Sequence, residues 1–282
     1  MVNVDPWARG VTTARHEAPD ASWALATCAP HPALAADVVG YTGYAERAIR
    51  SVRRREVPRA QVPVIVSFGD TLQVQTDGRL SVPPVRLTSF VAGFDDAHAI
   101  TEYVGSQRGL QINLTPLGAY RLLGLTGDEI RGGAPELDDV LGVDGPRLVD
   151  KLVSAPDWPA RFDIADGFLL RRAASARVVD PAIAWCWSQL LRSDGRVSVG
   201  ALADEVGWSR KHLGQRFRRY VGLGPKPAAR VLRFARATTL LDGSRSISEV
   251  AAECGYADHS HLVRDVRAMA GCTPSELIAE RA

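Results

Sequence analysis

The stretch 199–225, VGALADEVGWSRKHLGQRFRRYVGLGP, is written a second time at 247–274 as ISEVAAECGYADHSHLVRDVRAMAGCTP. Leu202-Ala203, Gly207-Trp208, Leu213, Phe217, Gly222 and Pro225 of the first copy recur as Val250-Ala251, Gly255-Tyr256, Leu262, Val266, Gly271 and Pro274. The offset is 48 residues as far as the glycine–aromatic pair and 49 beyond it, so one residue is inserted between that pair and the helix that follows. Self-similarity of this kind marks a duplicated supersecondary unit.

Each copy reads as two short helices around a tight turn. In the first, residues 199–206 are helical up to Gly207, which supplies a left-handed backbone that a Cβ would oppose. Ser209 then caps a second helix whose apolar positions Leu213 and Phe217 are four apart. Arg210, Lys211, His212, Gln215, Arg216, Arg218 and Arg219 are left for solvent, a basic, amide-bearing face suited to phosphates and base edges. In the second copy Gly255 makes the turn and Asp258 caps a helix from about His259 to Met269. Its core side is Leu262, Val266 and Met269, and His259, Ser260, Val263, Arg264 and Arg267 face outward. Two helix-turn-helix units, at about 198–220 and 246–270, are therefore expected, the second helix of each being the reader.

Gly255-Tyr256-Ala257-Asp258-His259-Ser260-His261-Leu262, followed by Arg264 and by Gly271-Cys272-Thr273-Pro274, closely resembles the second helix-turn-helix signature of the AraC/XylS family of transcription regulators. The resemblance covers roughly 181–282. It implies base readers at Lys211, Gly214 and Gln215, with Ser209 and Arg210 beside them, and at His259, Ser260 and Arg264, with His261 adjacent. Gly214 departs from the pattern, having no side chain with which to read a base. Val266 and Met269 stand where the family commonly has aromatics, which implies a looser second core. Arg216, Arg218, Arg219 and Arg267 are placed for phosphates, and backbone amides at the helix starts add to them.

A chain of 282 residues, 46% hydrophobic and 23% charged, is expected to bury substantial cores and to form two domains. The net charge is only +2. Its distribution is more informative: 181–282 holds 15 Lys/Arg against 10 Asp/Glu, net +5, which leaves −3 for the rest. That asymmetry suits a DNA-binding module joined to a domain with another task. No run approaches a membrane span and the N-terminus lacks a leader pattern, so a cytoplasmic protein is expected. Cys28, Cys186, Cys254 and Cys272 are too scattered for a zinc knuckle or a disulfide framework. His259 and His261, near Cys254, are two apart on a helix and so do not share a face. No cofactor or metal is expected.

Residues 1–22 are polar and without period, and read as a loosely held arm. From Trp23 onward short β-rich runs follow: Val38–Tyr44, Ile49–Arg53, Val62–Phe68, Thr71–Gln75, Thr88–Val91 and Leu110–Leu114. Asp77-Gly78 is a hairpin signal between Thr71–Gln75 and Arg79–Val82. These strands are expected to form an antiparallel sheet or small barrel. Thr115-Pro116 opens a helix that stops near Gly124. Helical patterns recur at Asp128–Gly132, Pro135–Leu141, Arg147–Ser154 and Trp158–Ala174, with a hinge expected over Arg171–Val179. A helix from Pro181 to near Gly195 begins the second domain. Pro227–Leu241, with Arg230, Arg233 and Arg236 among its apolar residues, reads as one helix joining the two heads. In the resembled family this linker fixes their spacing so that one chain addresses successive major grooves about 34 Å apart.

The expected class is thus α+β: a β-rich sensor or dimerisation domain with C-terminal helices at 1–175, then an all-α double helix-turn-helix domain at 181–282. Tyr41, Tyr44, Phe68, Phe90 and Phe94 are candidates for an aromatic ligand pocket, though aromatics on strands are more often core. Asp95-Asp96 with His98, and Glu102 with Arg108, match no catalytic motif and read as a charged loop. The leading reading is a sequence-specific transcription regulator, not an enzyme. Its partners would be double-stranded operator or promoter DNA, a small-molecule effector, a second copy as homodimer and, for an activator, RNA polymerase. Two alternatives stay open. The N-terminal domain could only pair subunits, or could be an enzyme fused to the regulator. For the latter Cys28-Ala29-Pro30-His31 is the nearest approach to a nucleophilic cysteine.

Overall fold

A computed structural model describes residues 10–75 and 83–280. The N-terminal part is an antiparallel sheet: β1 (Thr12–Glu17), β2 (Ala21–Cys28), β3 (Val38–Glu56), β4 (Val62–Ser67), β5 (Leu72–Gln75), β6 (Val85–Leu87), β7 (Phe90–Val91) and β8 (Ala99–Leu114). The order is β1-β2-β3-β8-β4-β7, with β5 pairing both β6 and β8 off this path. The fold class is α+β, as the sequence indicates.

The sheet is built on two long strands. β3 and β8 pair from Val38↔Leu114 to Glu56↔Ala99, with a register shift between Ala48 and Val52 that bends the ribbon. Val38–Tyr44 and Ile49–Arg53 are therefore parts of one strand, joined through that irregularity, and Leu110–Leu114 is only the end of β8. Glu102 and Arg108 lie within β8 and not in a loop, because Arg53↔Glu102 and Ala45↔Arg108 are ladder pairs. Residues 12–17 are likewise a strand and not an arm: β1 is exposed along its length, yet its backbone pairs with β2 from Thr12↔Thr27 to Glu17↔Ser22. β5 pairs with Val85–Leu87. The Asp77-Gly78 turn and the Arg79–Val82 run lie outside the described residues.

Helices cover one side of the sheet. Thr115 caps α1 (Pro116–Gly118) by accepting from the Gly118 N–H at 2.9 Å, and a π-helical turn, Ala119–Leu123, carries the chain on to Gly124. Then come α2 (Gly127–Ile130), α3 (Leu137–Leu141), α4 (Asp144–Ser154) and α5 (Trp158–Ala173). α5 seats the sheet: Phe162 is fully buried and stacks on Tyr41 at 5.9 Å, while the Tyr41 hydroxyl hydrogen-bonds the Asp166 carboxylate.

The remaining helices are α6 (Pro181–Arg192), α7 (Val199–Glu205), α8 (Arg210–Val221), α9 (Pro225–Leu240), α10 (Ile247–Glu253), α11 (His259–Ala270) and α12 (Pro274–Ala279). Leu202, Ala203, Leu213 and Phe217 are buried with Trp187 of α6; Val250, Ala251, Leu262, Val266 and Met269 form the matching second set. Val266 and Met269 are both fully buried, so the second core is closed without aromatics on α11. α9 is tied to both halves: Arg233 donates to the Gly195 carbonyl at 2.8 Å, and Arg230 pairs with Asp265 of α11 at 2.8 Å.

The connection 174–180 is irregular but anchored. The Arg177 N–H donates to the Arg121 carbonyl at 3.2 Å and its guanidinium lies over the Tyr120 ring. Three further contacts close the junction. Tyr120 meets Tyr220 edge-on at 4.7 Å, Phe94 meets Trp187 at 5.9 Å, and Arg55 of β3 binds the Glu280 carboxylate at 3.1 Å. Gly127 packs so closely on the end of α8 that a Cβ there would stand 2.1 Å from the Arg218 carbonyl oxygen.

Candidate nucleic-acid interface and ligand cavity

In the first head, Gly207 takes φ 68° with nothing within 4 Å of the place a Cβ would occupy, so it is required by the turn's backbone alone. The chain then extends through Ser209, whose hydroxyl accepts from the His212 N–H at 3.2 Å. That cap leaves the other amides of the first turn of α8 facing outward, where the helix dipole favours an anion. Ser209, Arg210, Lys211, His212, Gln215, Arg218 and Arg219 are all exposed. Gly214 faces open space. Arg216 differs from its neighbours. It is half-buried, it donates to Asp180 at 2.8 Å, and it lies over the Tyr220 ring at 5.7 Å.

The second head repeats the construction. Asp258 accepts from the His261 N–H at 2.7 Å, and His259, Ser260, Arg264 and Arg267 are exposed on α11. His261 is half-buried, edge-on to Tyr256 at 5.1 Å, as His212 is to Trp208 at 4.7 Å in the first head. The glycine–aromatic pair in each copy thus braces a histidine in the first turn of its reading helix. Arg264 donates back to the Ser260 carbonyl at 3.3 Å.

A cavity of about 550 Å³ opens in the N-terminal sheet. Its apolar wall includes Trp23, Leu25, Ile65 and Phe90, and its polar wall includes Thr42, Tyr44 and Gln111. At one side the Arg54 guanidinium holds the buried Glu46 carboxylate at 2.8 Å, and the Tyr103 hydroxyl donates to Glu46 at 2.7 Å. Burial and the adjacent Glu46 push the Tyr103 phenol above its ordinary range, so it stays a hydrogen-bond donor. A space of this size, mostly apolar with a few fixed polar groups, is the usual form of a small-molecule site.

Of the five aromatics singled out in the sequence, Tyr44 and Phe90 line this cavity. Tyr41 packs against α5, Phe68 lies under Arg108 and Arg161, and Phe94 is buried at the junction with α6. Glu46, Arg54 and Tyr103 also line it, and no motif in the sequence marks them. One signal for part of the wall was present: Thr42, Tyr44 and Glu46 are spaced by two on one strand and so share a face.

Among the described residues no cluster of His, Cys, Asp and Glu has the form of a metal site. All four cysteines are buried, and burial pushes the Cys186 thiol up to about 11. No helix among the described residues is long and apolar enough to cross a membrane.

A family model described as a helix-turn-helix domain matches residues 202–280. An AraC-type DNA-binding-domain transcriptional regulator from Chromobacterium violaceum is 31% identical over 36% of this chain and 93% of its own, with a TM-score of 0.33. The DNA-binding domain of AdpA, a global transcriptional factor solved with a target DNA, is 27% identical over 36% of this chain and 93% of its own, with a TM-score of 0.33. ToxT from Vibrio cholerae, solved with (E)-4-(8-methylnaphthalen-1-yl)but-3-enoic acid, is 12% identical over 84% of this chain and 97% of its own, with a TM-score of 0.48. Among curated proteins there is no match.

Proposed function

Since the chain belongs to the AraC/XylS family of transcription regulators through its C-terminal double helix-turn-helix domain, we propose that it binds operator DNA sequence-specifically and answers to a small effector through its N-terminal part. The observation that carries the DNA reading is the matched pair of reading helices, each capped at its start and each presenting exposed polar side chains. Lys211 and Gln215 in one head, and His259, Ser260 and Arg264 in the other, are assigned to base edges. Arg210, Arg218, Arg219 and Arg267 are assigned to phosphates.

The division into 1–175 and 181–282 follows from the same reading. The cavity of about 550 Å³ favours a sensing N-terminal part over one that only pairs subunits. Pairing with a second copy, and contact with RNA polymerase where the chain activates, fit the family's role and rest on it alone.

The test is selection of bound sequences from a random DNA pool, followed by titration of Lys211→Ala and Arg264→Ala on the selected operator. Each substitution is expected to cost about 1–3 kcal/mol and to relax preference at its own base position. Unchanged affinity in both variants overturns the reading. Repeating the selection with candidate effectors tests the sensor.

A further inference from the structure

A second cleft, of about 500 Å³, lies away from the sheet cavity, between the π-helical turn after α1, the start of α4, the end of α5 and the 175–177 connection. Four arginines line it, Arg121, Arg171, Arg172 and Arg177, with Asp144 as the one carboxylate on its wall. Arg121 is neutralised from outside by Asp37, which it contacts at 2.7 and 2.8 Å. Arg172 is held in place by the Leu122 carbonyl and the Phe168 ring, with Asp144 no nearer than 3.9 Å. Asp144 is shared with Arg147, also at 3.9 Å. Arg171 and Arg177 form no ion pair among the described residues. Glu129, which lies toward Arg177, has its carboxylate engaged by Thr126 in its own helix cap.

Three guanidiniums therefore face one shared carboxylate on the wall, with Glu129 outside it and turned to its own cap, which leaves the cleft with a net positive charge. Each guanidinium has five N–H donors in a planar fork, and the protein's own acceptors occupy few of them. A phosphate monoester brings close to two negative charges and three acceptor oxygens, and arginine forks match its geometry. The volume leaves room for the organic group that carries the phosphate. We propose that this cleft is a binding site for a small phosphorylated molecule, with Arg171, Arg172 and Arg177 as its anion-holding residues.

The position gives such a ligand a consequence. Arg177 lies over Tyr120, and Tyr120 is edge-on to Tyr220 of the first reading helix. A phosphate held by Arg177 thus bears on the contact that seats α8 against the N-terminal helices. This site is independent of the sheet cavity, and its binding test needs no operator, so its failure is distinguishable from failure of the regulator reading.

The experiment titrates the full chain with sodium phosphate and with pyrophosphate, at ionic strength held constant with sodium chloride, and follows melting temperature and ³¹P line width. The expected result is a saturable rise in melting temperature, with affinity reduced about tenfold by Arg171→Gln, about tenfold by Arg177→Gln, and further by the double change. Arg171→Lys and Arg177→Lys, which keep the charge, should retain more of the response than the glutamine variants, and a normal melting temperature in chloride alone shows the variants fold. An equal response in the wild type and the double glutamine variant overturns the proposal. So does silence in the wild type. If that silence comes with a double-variant salt slope for DNA lowered by about two, the arginines belong to the DNA backbone instead.

Discussion

Arg216 on the first reading helix donates to Asp180, the residue that caps α6, at 2.8 Å. A side chain whose place in the sequence suggests a phosphate contact is thereby drawn back to the protein, and the entry helix of the domain is pinned to its reader. Asp180→Asn keeps an oxygen to cap Ala182 but removes the counter-charge. We expect that variant to free Arg216 for DNA and steepen the dependence of log K on log salt by about 0.9, measured by fluorescence anisotropy across a salt series. The pair also sets a pH dependence. The Arg216 guanidinium holds the Asp180 carboxyl below the usual carboxylate range, so the stability it contributes is present above that range and is lost as pH falls through the depressed value. The stability gap between wild type and Asp180→Asn, measured by urea unfolding, should therefore shrink below about pH 4 and vanish in stronger acid.

Gly207 and Gly214 should respond to alanine with opposite signs. Both have open space where the new methyl would go. Gly207 has φ 68°, so Gly207→Ala is expected to lose about 1–2 kcal/mol to backbone strain. Gly214 lies inside α8, where alanine is preferred by about 1 kcal/mol, so Gly214→Ala should stabilise. Thermal unfolding of the two variants checks both signs.

The two heads should divide their labour. The first exposes Arg210, Lys211, Arg218 and Arg219 but carries Gly214 at a position proposed to read a base; the second exposes His259, Ser260 and Arg264. Arg218→Ala is expected to weaken binding evenly across operator variants and to flatten the salt slope by about one. Arg264→Ala should chiefly erase discrimination at its own base pair. Identical behaviour of the two variants would contradict this division.

The C-terminal domain was legible because its determinants are local. Caps such as Ser209 and Asp258, turn glycines, and apolar residues three or four apart act within a few positions of one another, and duplication states them twice. The sheet was less legible because its determinants are distant in sequence. β1 has no buried face to give it an alternating pattern, so Thr12–Glu17 resembles an arm until its backbone meets β2. The Arg-rich run at 50–55 obscures the continuity of β3, which rests on pairing with β8 some fifty residues on, as in Arg53↔Glu102. The cavity shares this difficulty: Glu46, Arg54 and Tyr103 meet only after the ribbon bends at Ala48–Val52. The pairing that draws Arg216 back to the protein depends on a carboxylate 36 positions earlier.

α9 has sixteen residues, about 24 Å of helix, with Arg233 fastened to the loop before the first head and Arg230 to the reading helix of the second. Both anchors sit within one turn near the middle of this rod, so the two heads are tied to the same short stretch of helix and keep a fixed rotation about it. Each base pair added between two half-sites rotates one of them by about 34° around the duplex axis, given 10–10.5 base pairs per turn. The linker is therefore expected to set angular phase: an operator with both half-sites intact and one extra base pair between them should present its second groove edge out of line with the second head and bind more weakly.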